Sequence, residues 1–305
     1  MTRRRASLLL LIAGATWGMG FVAQAEAMSS IGPYLFIALR FLVATLVVLP
    51  FALRESYATA QFSNTRLSPA TWYRFVLIGI VLFLGMATQQ TGLLTTTVTN
   101  SGFLTGLYVI FTPVLVVIMF RESPHRIIWL AAAVALYGIF LLSGGNISDL
   151  VTGDYLTIAS AGFWALQVVL IARFVGESGR PLALSFVQFA VTALLAGVLA
   201  IAFEPLSWQG IQTALPNILY AGVFASGFAF TLQVIGQRYT SAPQAAVLLS
   251  SEAPFAALFA FMLLGERIGW SGLVGCGLML LAMLMVELVP AWMRKSTAIT
   301  GSDVS

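Results

Sequence analysis

Charged residues are scarce in this sequence. Lys, Arg, Asp and Glu make up 9% of the 305 residues, whereas hydrophobic residues make up 59% and the mean hydropathy is +0.95. Soluble domains carry roughly 25% charged residues, so the composition excludes a water-soluble domain. The net charge of +4 does not indicate nucleic-acid binding, because the longest basic cluster is Arg3-Arg4-Arg5 and the other arginines stand singly between apolar runs.

Cysteine and histidine are almost absent as well. The single cysteine, Cys276, excludes an intrachain disulfide framework and any cysteine-based metal or cluster site. The single histidine, His125, argues against haem or zinc chemistry, which depends heavily on imidazole ligands. We therefore expect no cofactor and no metal. No His pair or acidic cluster suggests the catalytic set of a membrane enzyme.

The sequence contains instead a series of apolar segments that are long enough to cross a membrane. About 20 mostly apolar helical residues span the hydrocarbon region. Ten segments fit, at residues 6–28, 33–53, 72–93, 98–119, 127–143, 153–175, 181–203, 214–236, 243–264 and 269–292. The predicted fold is therefore an all-α integral membrane protein with ten transmembrane helices.

The second half of the sequence repeats the first. Residues 88–122 match residues 232–266 at an offset of 144 residues. A duplicated half with interrupted helices is typical of secondary transporters. We predict two five-helix repeats, residues 1–145 and 150–293, followed by a short cytoplasmic tail at 294–305. Corresponding residues are Gln89 and Gln233, Tyr108 and Glu252, and, with small insertions, Trp17 and Trp164, Pro33 and Pro181, Arg40 and Gln188, and Phe41 and Phe189.

Lysine and arginine positions predict the orientation, because positively charged loops stay in the cytoplasm. With a cytoplasmic N-terminus, thirteen of the fifteen basic residues flank the inner ends of the predicted spans. Both termini are therefore expected on the cytoplasmic side of the inner membrane. Since five spans is an odd number, the second repeat enters from the opposite face, and the repeats are inverted. Ala23-Gln24-Ala25 imitates a signal-peptide cleavage site, but the match of Trp17 with Trp164 favours a first span.

Five short motifs are distributed over both halves: ATWGMGF at 15–21, ALRF at 38–41, TNSGFLTGLYVIFTP at 99–113, SSEAPFAALFAFMLLGERI at 250–268 and GLVGCGLMLLAML at 272–284. Together they resemble the EamA family of the drug/metabolite transporter superfamily over nearly the whole chain. The resemblance implies ten helices, a central cavity shared by the halves, and movement of amino acids or other small metabolites, often outward. In one departure, Pro113 lies nine residues before Glu122, whereas Pro254 lies twelve before Glu266.

Two charged residues lie deep inside predicted spans. Glu252 lies near the middle of its span, and Arg40 lies about 10 Å from the outer surface. An ionisable group in the bilayer costs about 2.5–3.5 kcal/mol, so it faces protein or water. Each residue has two possible roles. Either it is structural, paired with the other or with polar neighbours, or it binds substrate, with Arg40 accepting a carboxylate and Glu252 binding an ammonium group or carrying a proton.

Amides, mid-span tryptophans and the repeat partners of the charged residues complete the candidate site. For the amides the alternative is hydrogen bonding between helices, and for the tryptophans it is core packing. Two prolines are candidate gating kinks, Pro113 and Pro254. The substrate-binding hypothesis comprises Arg40, Glu252, Trp17, Trp164, Gln89, Gln233, Tyr108, Gln188 and Asn100.

The sequence thus favours a secondary transporter, an exporter of small metabolites such as amino acids, that works by alternating access around a central cavity. A lipid or lipid-linked sugar flippase of the same superfamily is the alternative, and an integral-membrane enzyme is a more remote one. The expected partners are a small-molecule substrate and membrane lipid, not nucleic acid. Homo-oligomerisation and coupling to a proton stay open.

Overall fold

The helices of the protein follow the predicted spans. The structure, a computed structural model, describes residues 1–62, 67–96, 98–144, 150–264, 267 and 269–300, and these contain helices and no β-strand. The all-helical fold is therefore confirmed. In chain order the elements are α1 (Arg3–Ala27), α2 (Pro33–Phe62), α3 (Pro69–Gly92), α4 (Val98–Thr105), α5 (Tyr108–Phe120), α6 (Arg126–Leu142), α7 (Thr152–Ser178), α8 (Pro181–Phe203), α9 (Trp208–Tyr220), a π-helical segment (Ala221–Phe228), α10 (Ala229–Gln237), α11 (Ala242–Leu249), α12 (Glu252–Leu264) and α13 (Trp270–Thr300).

Seven helical stretches within the described residues have the length and apolarity of a membrane span. The helix α6 is apolar but shorter. Each of the ten predicted spans corresponds to one helix or to consecutive helical segments. The seven stretches are Pro33–Thr59, Pro69–Gly92, Asn100–Phe120, Thr152–Ser178, Pro181–Phe203, Trp208–Gln237 and Trp270–Leu288.

The last helix is longer than predicted. The sequence placed the end of the tenth span at residue 292 and a tail at 294–305, but α13 continues to Thr300. No glycine or proline occurs between residues 291 and 300 to end it. Residues 301–305 of the predicted tail lie outside the described residues. Glu266, from which the position of Pro254 is counted in the sequence, lies outside them as well.

Three of the predicted spans are not continuous α-helices. The fourth breaks before Tyr108 and the ninth breaks before Glu252, at positions related by the repeat. These breaks lie upstream of the candidate gating residues, since Pro113 lies inside α5 and Pro254 lies in the first turn of α12. The eighth contains the π-helical segment. Irregular backbone at membrane depth is tolerated where it is buried in protein or lines a water-filled cavity.

The most extensive helix contacts join the two halves of the chain. Helix α2 packs along α8, α6 along α13, α3 along α7, and α1 along α10. Between α6 and α13 the backbones touch at two glycines, where a Cβ on Gly138 would lie 2.7 Å from the carbonyl oxygen of Gly275. Small residues permit such close approach. The bundle is therefore built from interlocked halves rather than from two separate five-helix domains.

Two glutamates cap α2 and α8 reciprocally. Glu55, near the end of α2, accepts hydrogen bonds from two backbone N–H groups in the first turn of α8, at 2.9 and 3.1 Å. Glu204, at the end of α8, accepts from two in the first turn of α2, both at 2.8 Å. Each carboxylate satisfies N–H groups that a helix start leaves unpaired. Because each glutamate lies near the end of one helix and caps the start of the other, α2 and α8 run antiparallel.

Replacing Glu204 with Ala should lower the free energy of unfolding by about 0.5–2 kcal/mol, the usual cost of losing a helix cap. The measurement is the unfolding midpoint of the purified protein in detergent. Glu26→Ala is the matched control, because Glu26 is exposed at the same end of the bundle and its carboxylate caps no helix of the described residues. Equal midpoints for the two variants would contradict a capping role.

Candidate binding cavity

A cavity lies between helices of both halves. It encloses about 560 Å³ of empty space, including its opening. Pockets for small molecules place a few polar groups in an apolar wall. The cavity has that character. Its wall is formed by Trp17, Gly20, Gln24, Arg40, Met86, Gln89, Thr105, Tyr108, Trp164, Val168, Ala225, Phe230, Gln233, Leu249 and Glu252.

Seven of the nine residues in the substrate-binding hypothesis line this cavity. The wall contains five pairs of residues that the 144-residue offset or its small insertions relate. Three of these pairs belong to the hypothesis, and the other two do not. The seven residues are Arg40, Glu252, Trp17, Trp164, Gln89, Gln233 and Tyr108; the five pairs are Trp17 and Trp164, Gln89 and Gln233, Tyr108 and Glu252, Met86 and Phe230, and Thr105 and Leu249.

Two candidate residues do not reach the cavity wall. Asn100 lies near the start of α4, away from the wall. Gln188 is fully buried behind the wall, where its Oε1 accepts a hydrogen bond of 3.3 Å from Gln167. Gln167 in turn accepts a bond of 3.0 Å from Gln233. Helix α8 packs closely on Gly79 of α3 at this point, which leaves Gln188 no opening to the cavity. In this position Gln188 forms a hydrogen bond between α7 and α8.

Arg40 is a buried cation without an anionic partner. It is 2% exposed, and no carboxylate of a described residue lies within 4.0 Å of its guanidinium. Its Nε donates to Ser226 Oγ at 2.9 Å and its Nη1 donates to Gln24 Oε1 at 3.1 Å. Its terminal carbon lies 5.3 Å from the ring centroid of Phe41, within the range of a cation–π contact. A guanidinium has five N–H donors, so donors remain for a ligand.

Glu252 and Tyr108 offer unpaired polar groups in the same cavity. Each begins a helix immediately after a break in its span. The carboxylate of Glu252 forms no hydrogen bond or ion pair with a described residue, so it does not pair with Arg40. Tyr108 is 5% exposed, and its hydroxyl has no partner among the described residues. Buried polar groups are nearly always paired, so these two groups are available to water or to a ligand.

An aromatic group forms the middle of the wall. The ring of Phe230 lies between those of Trp17 and Trp164, with centroid distances of 4.7 and 5.7 Å. The indole N–H of Trp17 donates to the carbonyl oxygen of Ala225 at 2.8 Å. The indole N–H of Trp164 has no partner among the described residues. The group can pack an apolar part of a ligand and donate one hydrogen bond to it.

Several wall residues were missed by the sequence interpretation, although helical spacing could have found two of them. Phe230 lies three residues before Gln233, and Thr105 lies three before Tyr108. Residues three apart share a helix face. Thr105 also accepts a hydrogen bond of 2.9 Å from Gln89.

The chain matches the sequence model of the EamA-like transporter family twice, over residues 4–144 and 151–288. It belongs to that family. The resemblance to EamA proteins of the drug/metabolite transporter superfamily is thereby confirmed. The protein is a multi-pass membrane protein of a transporter family.

Individual relatives agree with this membership. An uncharacterised transporter of Archaeoglobus fulgidus is 30% identical over 286 residues, covering 94% of this chain and 87% of that protein. A chloroplastic WAT1-related protein of Arabidopsis thaliana is 23% identical over 283 residues, covering 89% and 66%. One crystal structure matches with a TM-score of 0.80 at 18% identity, covering 96% of this chain and 99% of that one, which supports the fold alone.

Cysteine substitutions at two glutamines test whether water and a small reagent reach the cavity. In a Cys276→Ala background, Gln233→Cys should react with N-ethylmaleimide in detergent, because Gln233 lines the cavity. Gln188→Cys should react at least tenfold more slowly, because Gln188 lies behind the wall. The labelled fraction is measured by intact-mass spectrometry. Equal rates for the two cysteines would contradict this description of the cavity.

Proposed function

We propose that the protein is a secondary transporter that exports small metabolites, amino acids first among them, by alternating access around the cavity. The observation that carries the proposal is that Arg40 and Glu252 share one cavity and neither forms an ion pair with a described residue. A buried charge is costly unless it is paired. An amino acid carries both complementary charges. Its carboxylate would bind Arg40, its ammonium group would face Glu252, and its side chain would pack on the rings around Phe230.

We further propose that the two halves are inverted repeats. The antiparallel pair of α2 and α8, with its reciprocal glutamate caps, supports a two-fold axis in the membrane plane. The matched contacts support it too, since α3 packs on α7 as α10 packs on α1. Repeat-related residues also meet across the cavity. Two matches of the family's sequence model, over residues 4–144 and 151–288, agree with repeats of this length.

The packing suggests which bodies move. Helix α1 packs against α9, α10, α11 and α12, and α7 packs against α3, α4 and α5. Each group joins the first helix of one half to the third and fourth spans of the other. Alternating access would therefore rock these two groups against each other, with α2 paired to α8 and α6 paired to α13 on either side. A rigid motion of residues 1–145 against 150–293 would have to break all four principal contacts.

Orientation and inversion can be tested together. We place both termini in the cytoplasm of a cell whose inner membrane holds the protein. Ser29 follows the first helix of the first half, and Ser178 is the last residue of the first helix of the second half. In the Cys276→Ala background, Ser29→Cys should react with a membrane-impermeant maleimide in intact cells, whereas Ser178→Cys should react only after permeabilisation. Labelling of both from the same side would contradict inversion.

Glu252→Gln tests the role of the carboxylate. The substrate is found first, by screening overexpressing cells for rescue of growth on toxic amino acids and analogues. Export of that labelled compound from proteoliposomes should fall at least tenfold in Glu252→Gln. The substrate's ammonium group would lose its hydrogen bond to a buried carboxylate, which costs about 1.5–3 kcal/mol. Arg40→Gln should fall similarly.

The control is Glu26→Gln, an exposed carboxylate outside the cavity, which should transport normally. All variants are first compared by size-exclusion chromatography, so that loss of folding is recognised. Transport by Glu252→Gln that matches the unmodified protein at every pH between 5 and 8 would overturn the role of Glu252.

A further inference from the structure

The π-helical segment Ala221–Phe228 distinguishes the second half from the first. It interrupts the helical stretch Trp208–Gln237. The corresponding residues of the first half, 77–84, lie in the uninterrupted α-helix α3. π-Helical turns make up well under 1% of residues in proteins and occur frequently at functional sites. The segment is therefore a local departure from the repeat that needs a physical reason.

The segment packs directly against the backbone of Arg40. A Cβ added to Gly222 would lie 2.9 Å from the carbonyl oxygen of Arg40 and 2.6 Å from the Cβ of Val43, so only glycine fits here. This close approach brings Ser226 to the arginine side chain, where its Oγ accepts the 2.9 Å bond from Nε. Ser226 is fully buried and is not part of the cavity wall.

The same segment also holds a second wall residue. The carbonyl oxygen of Ala225, inside the segment, accepts the 2.8 Å bond from the indole of Trp17. π-Helical hydrogen bonds run from i to i+5, so the backbone there is displaced from the path of an α-helix. Two polar groups of the cavity thus take their orientation from eight residues that are not α-helical.

Arg40 and the π-helical segment are in contact, and neither has a counterpart at the equivalent described positions of the other half, residue 188 and residues 77–84. The repeat partner of Arg40 is Gln188, which packs against an ordinary α-helix at Gly79 and bonds to Gln167 behind the wall. The arginine enters the cavity where the π-helical segment supports it, and the glutamine at the equivalent position does not. With Nε bound to Ser226 and Nη1 bound to Gln24, the plane of the guanidinium is fixed, and Nη2 has no partner among the described residues.

We propose that Ser226, presented by the π-helical segment, is a positioning residue that holds Arg40 as the anion subsite and so gives the cavity its preference for a carboxylate over a neutral amide. The inference rests on the proposed function. Ser226 acts through Arg40 and does not touch the ligand. Its loss should therefore weaken recognition of the carboxylate group selectively, while a general structural defect would weaken acid and amide alike.

The test compares Ser226→Ala with the unmodified protein. Proteoliposomes are assayed with each of the twenty labelled amino acids, and for any that is transported, KM is compared with the inhibition constant of its carboxamide. In Ser226→Ala the preference for the acid should fall roughly tenfold, the size of one hydrogen bond to a charged group. The change should appear in KM with little effect on the maximal rate.

Three further variants complete the design. Ser226→Cys fills the same volume with a poor acceptor and should behave like Ser226→Ala, and Ser226→Thr keeps the hydroxyl and should retain the preference. Ser160→Ala is the matched control, because Ser160 is a fully buried serine whose hydroxyl, among the described residues, bonds to the Thr157 carbonyl of its own helix alone, at 2.9 Å. It should leave the preference unchanged.

The outcomes distinguish a failure of the proposed substrate class from a failure of the positioning role of Ser226. If the unmodified protein transports none of the twenty amino acids, the proposal of amino acids as its substrates fails and the role of Ser226 fails with it. If an amino acid is transported and both Ser226→Ala and Ser226→Cys keep the unmodified preference, or lose acid and amide equally, only the positioning role is overturned.

Discussion

A charge inside the hydrocarbon region must be solvated by protein, water or ligand, and this constraint organises the interior of the bundle. Arg40 meets it with neutral groups, a serine hydroxyl, a glutamine oxygen and an aromatic ring. Glu252 meets it differently, since it begins a helix at a break beside the cavity and its carboxylate has no partner in the described part of the chain. The cavity is therefore a requirement of the sequence. Without a polar space between the helices, Glu252 could not remain at its depth.

The same constraint acts on the backbone. The breaks before Tyr108 and Glu252 replace regular α-helical hydrogen bonds at mid-span by tighter turns, such as the bonds from Leu107 N–H to the Leu104 carbonyl and from Ser251 N–H to the Leu248 carbonyl, both 3.2 Å. Both breaks face the shared cavity, so one polar space serves two interruptions. The rest of the bundle compensates with close contacts between the halves, at Gly138 and Gly275 and at the glutamate caps of α2 and α8. Helices beside the cavity are thus interrupted, while other helices of the two halves pack closely against each other.

The same physics explains which features of the fold and of the cavity can be predicted from the sequence. The membrane imposes long apolar helices, so hydropathy located them, and the rarity of buried charge identified Arg40 and Glu252. The repeat identified equivalent positions, but residues at equivalent positions can have different surroundings. Gln188, the repeat partner of Arg40, lies behind the wall, whereas Arg40 lines the cavity. The π-helical segment and the Glu204 cap depend on contacts between distant segments, which no local pattern records.

The departures from the repeat have a chemical consequence. If Tyr108 were a glutamate like its repeat partner, two carboxylates would share one cavity, and like charges would repel at short range. The cavity has instead one carboxylate and one guanidinium, since Tyr108 is the repeat partner of Glu252 and Gln188, the repeat partner of Arg40, lies behind the wall. A zwitterion bound between them has one favourable orientation. Under the proposed inversion, the two access states exchange the roles of the halves while the ligand keeps that orientation, because the charges that hold it do not exchange.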